Sequence, residues 1–83
     1  MTSTRLGAMA RASACYATVA AWDDRDRTPD NLRVRPPFWP WDSAWWKPTT
    51  PRRDLIKAAA LIVAEIERLD RADRAAQEAT DAG

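Results

Sequence analysis

The sequence predicts an all-α fold, a hairpin of two helices joined by a long crossover loop within one small domain. Three observations predict it. Residues 4–21 are rich in alanine, residues 51–78 carry apolar side chains at helical spacing, and the segment between them holds five prolines. At 83 residues the chain is long enough for one domain over residues 1–83, with a marginal core.

The first predicted helix covers residues 4–21. Thr4 is a suitable N-cap, and the alanine-rich interior has high helix propensity. One face is moderately apolar and includes Leu6, Met9 and Tyr16. Cys15 lies in the same run, and because the chain has no histidine to activate a thiol, we expect a buried and unreactive side chain.

The second predicted helix covers residues 51–78. Thr50 is a suitable cap, Pro51 fits the first helical position, and Asp54 suits the positive end of the helix dipole. Apolar residues recur at helical spacing, with acid–base pairs on the opposite side. The apolar stripe, widened by Ile56, Ala60 and Val63, consists of Leu55, Ala59, Ile62, Ile66 and Leu69. Residues 79–83 lie beyond it, and we expect them to fray.

The crossover is too long to be structureless in a compact domain, so it is expected either to bind something or to pack across the helices. We expect the run of charged residues at 23–27 to be solvated. Residues 32–35 alternate in polarity and predict a short extended piece. Asp42 precedes a predicted single helical turn that ends near Trp46.

Composition excludes several classes of protein. The chain has 13 basic and 12 acidic residues, which argues against a nucleic-acid-binding protein. It has one cysteine and no histidine, so we expect no metal, no cofactor and no catalytic residue. No segment has the roughly 20 apolar residues of a membrane span, and a cytoplasmic location is expected.

Tryptophan is the unusual component. Four of the five tryptophans fall within eight positions, and indoles suit stacking on a base or anchoring a partner protein. Two arginines follow at the start of the second helix, where free backbone N–H groups favour an anion. The candidate binding residues are Trp39, Trp41, Trp45, Trp46, Lys47, Arg52 and Arg53. The alternatives are indoles that fill the core, and arginines that pair with Asp42 or Asp54 or stay solvated.

Several stretches together resemble a family of small phage and prophage accessory proteins. They run from Trp39-Pro40-Trp41 through Trp45-Trp46-Lys47-Pro48 to the helix that starts at Arg52-Arg53-Asp54-Leu55 and ends at Glu65-Ile66-Glu67-Arg68-Leu69-Asp70-Arg71. The resemblance covers about residues 12–71. It implies a phage-encoded protein with a helix, a tryptophan loop and a second helix in that order, and it supplies no catalytic residue.

These observations favour a non-enzymatic binding protein that acts against bacterial defence in the host cytoplasm. The first hypothesis is that it sequesters a nucleotide-type signal on the tryptophans and arginines. The second is a protein–protein inhibitor of a defence complex, similar in role to an anti-CRISPR, and the third is a subunit of a nucleotide-metabolising enzyme. Because two helices cannot cover the apolar face of residues 55–69, we also expect a homo-oligomer.

Overall fold

The computed structural model describes residues 7–82, with side chains through residue 80. These residues form three α-helices, which we number α1 (Ala8–Ala20), α2 (Pro29–Arg33) and α3 (Pro51–Ala82), and one 3₁₀ turn, Ser43–Trp45, with no strand among them. The prediction of an all-α fold is confirmed. The clean two-helix hairpin is wrong, because the crossover contains a helix of its own.

Helix α1 begins at Ala8, after Gly7. The predicted cap, Thr4, lies outside the described residues. The helix buries one face, which carries Ala12, Ser13, Cys15, Tyr16 and Val19. Most of these side chains are small, so the backbone of α1 approaches its neighbour closely.

Helix α3 begins as predicted. The Thr50 hydroxyl accepts a hydrogen bond from the Arg53 N–H at 3.2 Å, and Pro51 occupies the first position. The helix continues to Ala82, four residues beyond the predicted end at residue 78. Its last turns are rich in alanine and other helix formers, which extend a helix even where the apolar stripe has ended. The fraying expected of residues 79–83 remains a prediction.

Helix α2 ends at Arg33 and so replaces the first half of the extended piece predicted at residues 32–35, whereas Val34 is extended. The Thr28 hydroxyl accepts a hydrogen bond from the Asn31 N–H at 3.1 Å, Pro29 opens the helix, and Asp30 lies in its first turn. These are standard helix-start residues, and they prevail over the short polarity alternation of residues 32–35. The predicted turn after Asp42 is confirmed: its carboxylate accepts a hydrogen bond from the Ala44 N–H at 2.9 Å.

The core lies where α1 packs against the first half of α3 and the crossover folds over both. Helix α3 contributes Ala58, which is 4% exposed, and Asp54, which is fully buried. The crossover contributes Trp39 and Trp46. The apolar stripe of α3 does not take part, and Leu55, Ile62, Ile66 and Leu69 remain about half exposed. The face of α3 that carries Asp54, Ala58 and Leu61 therefore packs into the core, and the more apolar face is open.

Candidate functional site: an aromatic cleft

Tyr16 of α1 organises an aromatic cluster. The Trp46 ring stacks on it, with centroids 4.9 Å apart and planes at 27°. The Trp39 ring meets Tyr16 edge to face at 5.6 Å and 89°. Each such pair contributes about 0.5–1.5 kcal/mol beyond the area it buries. The cluster therefore fixes the crossover against α1.

The two buried indoles have satisfied N–H groups. The Trp46 Nε1–H donates to the Leu32 carbonyl at 2.7 Å, and the Trp39 Nε1–H donates to the Asp42 carbonyl at 3.1 Å. The Tyr16 hydroxyl accepts from the Lys47 N–H at 3.3 Å. For these two indoles the core-filling alternative is therefore correct.

The other two indoles of the segment are exposed. Trp45 is 67% exposed and Trp41 is 39% exposed. The Trp41 ring stands edge to face on Trp39, with centroids 5.4 Å apart. Trp45 is held at the end of the 3₁₀ turn that Asp42 caps. Rigid neighbours thus position two indoles whose faces are open to solvent.

The exposed indoles line a cleft between the crossover and α3, with a volume of about 660 Å³. Small-molecule sites have volumes of about 300–1,000 Å³, with apolar walls and few polar groups. Only two side chains in this cleft carry a charge, Asp42 and Lys57. The cleft is lined by Tyr16, Trp39, Trp41, Asp42, Trp45, Lys57, Ala60 and Leu61.

Lys57 supplies the cation of the cleft. Its Nζ lies 5.2 Å from the centroid of the Tyr16 ring, donates a hydrogen bond to the Lys47 carbonyl, and lies 4.0 Å from Asp54 Oδ1. The aromatic face and the carboxylate both attract the ammonium group. A positive charge is therefore held against the aromatic wall.

Burial changes two pKa values beside the cleft. Desolvation raises the pKa of the Tyr16 hydroxyl above its usual value, and the hydrogen bond from the Lys47 backbone opposes that shift. Desolvation also raises the pKa of the buried Cys15 thiol, to about 11. Both groups are neutral at physiological pH, and the expectation of a buried, unreactive cysteine agrees with this environment.

The predicted binding residues separate into three groups. Trp39, Trp41 and Trp45 line the aromatic cleft. Trp46 and Lys47 line a second cleft, together with Arg27 and Arg33. The side chains of Arg52 and Arg53 are exposed and line neither cleft. The structure therefore does not bring the two arginines to the exposed indoles.

Sequence reasoning missed Tyr16 and Lys57 as parts of the site. A signal for Lys57 was available, because Lys57, Ala60 and Leu61 have the i, i+3, i+4 spacing of one helix face. Of these three residues only Ala60 was assigned from the sequence, as part of the flank of the apolar stripe. For Tyr16 the only signal was a large aromatic residue among alanines.

A buried ion pair lies next to the site. One of its two residues, Arg27, belongs to the charge run of residues 23–27, which was expected to be solvated. Arg27 Nη2 lies 3.1 Å from Asp54 Oδ2, with side chains 6% and 0% exposed. Asp54 was expected only to favour the helix dipole, or to pair with Arg52 or Arg53. Burial of Arg27 is instead made possible by its partners, which satisfy the guanidinium.

No group of three or more potential metal ligands occurs within residues 7–82. In that part of the chain no helix is both long and apolar enough to cross a membrane. Comparison of the whole chain with protein families, curated proteins and solved structures gives no match.

Proposed function

We propose that this chain is a small non-enzymatic protein that binds a nucleotide-type molecule in the aromatic cleft. One observation carries the proposal: Trp41 and Trp45 are exposed and line a cleft that also holds one cation and one carboxylate. Stacking of a base on an aromatic ring contributes about 1–3 kcal/mol. The cleft offers two such rings.

The polar groups suit the rest of a nucleotide. The Lys57 ammonium offers a counter-charge to a phosphate, and Arg53 lies one helical turn before it on α3. The Asp42 carboxylate accepts one hydrogen bond, from the Ala44 N–H, and can accept others from the amino group of a base. Lys57 thus takes the phosphate-binding role that the sequence suggested for Arg52 and Arg53.

The biological setting rests on the resemblance of residues 12–71 to phage accessory proteins. We propose a phage-encoded protein that acts in the host cytoplasm and sequesters a signal of bacterial defence. Binding alone accomplishes sequestration, and the two charged side chains of the cleft need no catalytic role. Hydrolysis of a nucleotide by the purified protein with Mg²⁺ would instead favour the subunit of a nucleotide-metabolising enzyme.

The test uses the indole N–H signals in a ¹H–¹⁵N spectrum, because each tryptophan gives its own signal. Titration with cyclic dinucleotides and ADP-ribose derivatives is expected to shift the signals of Trp41 and Trp45 and to leave Trp22 unchanged. Trp45→Ala removes the response. Val34→Ala is the matched control, because Val34 is 71% exposed and lies outside the cleft. A panel without any response contradicts the proposal.

Lys57→Gln separates phosphate recognition from stacking. This variant is expected to weaken binding of the nucleotide and to leave binding of the corresponding nucleoside unchanged. The nucleotide affinity should also fall as salt rises, since the pairing is electrostatic. Equal losses for nucleotide and nucleoside would assign Lys57 to the wall of the cleft alone.

A protein partner is the second candidate, and the exposure of Trp45 favours it. A largely exposed indole beside buried aromatic residues is a typical hot spot of a protein interface. If the partner is a protein, the wild type and Lys57→Gln are expected to bind a host defence complex. Trp45→Ala is expected to lose that binding. The nucleotide titration then shows no response.

Self-association is part of the proposal. The half-exposed stripe of α3 is an apolar surface that the described part of a single copy leaves uncovered. We propose a homo-oligomer, and sedimentation of the purified chain over a range of concentrations measures it.

A further inference from the structure

The exposed stripe of α3 has the spacing of a coiled-coil seam. Leu55, Ala59, Ile62, Ile66 and Leu69 follow one another at alternating intervals of four and three residues. This repeat keeps one side of a helix facing a partner helix along its length. The large side chains of the stripe and its flank, including Ile56 and Val63, are between 46% and 54% exposed.

Among residues 7–82 no element covers this seam. Helix α1 occupies the neighbouring face of α3, at Asp54 and Ala58, and it is 13 residues long against 32 for α3. A helix gains most of its stability from packing of its apolar face. The apolar side chains of the seam therefore have no helix packed against them among the described residues.

We propose that a second copy of this chain packs on the seam in antiparallel orientation. In this register Leu55 lies across from the partner's Ile66, and Ala59 lies across from the partner's Ile62. The small residue of each copy then faces a large one. Ile56 and Val63 flank the seam and extend its apolar surface.

The exposed area is sufficient for a specific pair. Six large apolar side chains, each about half exposed, present on the order of 500 Å² per copy, or about 1,000 Å² for two copies, which is the lower range of specific interfaces. The pair is expected to dissociate in the micromolar range rather than to be permanent.

The charges at the two ends of the seam select the orientation. In this antiparallel register Arg52 of one copy lies across from the partner's Leu69 and next to the partner's Asp70. Neither Arg52 nor Asp70 has an ion-pair partner among the described residues of its own copy. In a parallel pair Asp73 meets its own copy on the seam, and Glu65 meets the partner's Asp70. Like charges then face each other, which disfavours that arrangement.

The inference rests on the proposed self-association and is independent of ligand binding. The cleft is walled by Lys57, Ala60 and Leu61 of α3, and the seam residues are not among its lining. Both surfaces can therefore be occupied at once. Failure of the seam leaves the nucleotide titration unaffected.

The first experiment is sedimentation of the wild type and of seam variants. The wild type is expected to be a dimer at about 100 µM. Ile62→Asp should weaken the dimer on the order of 100-fold, because two copies each lose a buried isoleucine. Ala75→Asp is the control, since it adds the same charge to α3 away from the seam. Unchanged circular dichroism shows that the variants fold, and a monomeric wild type overturns both the pairing and the proposed self-association.

The second experiment determines the orientation by disulfide formation. An equimolar mixture of Leu55→Cys and Ile66→Cys chains is expected to cross-link, and Ile66→Cys alone is not, because the two copies of that residue lie about 16 Å apart along an antiparallel pair. Cross-linking of Ile66→Cys alone, without cross-linking between the two variants, overturns the antiparallel pairing and leaves self-association intact. The native Cys15 is buried and does not interfere.

Discussion

Arg27 and Asp54 join the carboxyl end of α1 to the amino end of α3. The Arg27 guanidinium donates to the Val19 carbonyl at 2.6 Å, to the Thr49 carbonyl at 3.0 Å, and to the Asp54 carboxylate at 3.1 Å. The same carboxylate accepts from the Thr49 N–H at 2.8 Å. A cation at a helix carboxyl end and an anion at a helix amino end are both favourable. One buried pair thus fixes the relative position of the two principal helices.

We predict that Arg27→Met destabilises the protein strongly. It removes the closest cation from the buried Asp54 carboxylate and leaves it with Lys57 at 4.0 Å and the Thr49 N–H, and breaking a buried pair in this way costs about 3–5 kcal/mol. The free energy of unfolding from urea denaturation measures the loss. Arg25→Met is the control, because Arg25 belongs to the same charge run and is exposed. A difference of less than 1 kcal/mol between the two variants would contradict a structural role for the pair.

The two adjacent tryptophans at the end of the 3₁₀ turn are predicted to behave differently. Trp46→Ala removes a ring that stacks on Tyr16 and a hydrogen bond to Leu32, and should cost about 3–5 kcal/mol. Trp45→Ala removes a mostly exposed ring and should change stability by about 0.5 kcal/mol or less. Thermal unfolding of both variants tests this. Equal losses would mean that Trp45 packs in solution and is not free to bind.

Much of this fold was predictable from local signals. Thr50 and Pro51 predict the start of α3 correctly, and Asp42 predicts the 3₁₀ turn, because capping depends only on residues close in sequence. The same signals were present at Thr28 and Pro29, but the prediction at residues 32–35 considered only the alternation of polarity, so α2 was missed.

The partner of each buried side chain was not predictable in this way. Arg27 is buried because Asp54, 27 residues away, lies beside it, and a charge run alone contains no sign of that partner. The four clustered tryptophans have similar sequence surroundings, and only their distance from Tyr16 separates Trp39 and Trp46 from the exposed pair. The apolar stripe was recognised correctly, but the helix face that contacts α1 depends on how closely two backbones approach.

The hydroxyl of Thr28 is predicted to hold α2 in place. Thr28→Ala removes the hydrogen bond to the Asn31 N–H and should cost about 1 kcal/mol, the usual effect of losing an N-cap. Thr28→Ser keeps the oxygen and should cost much less. Urea denaturation of the two variants compares them. If both lose the same free energy, the methyl group of Thr28 matters and its hydroxyl does not.

Alkaline pH is predicted to weaken the fold through Cys15. In the unfolded chain the thiol ionises near its ordinary pKa of 9.0, whereas burial raises its pKa in the folded chain to about 11. Between these values the unfolded chain has lost the proton that the folded chain retains, so stability falls as pH rises, by about 2–3 kcal/mol in all. Below pH 9 the contribution is fully present.

Denaturation of the wild type and of Cys15→Ala at several values between pH 8 and 11 measures the difference. The variant should show a shallower decline, to which Tyr16 still contributes because burial also raises its pKa. Two parallel curves would show that the thiol does not titrate with folding.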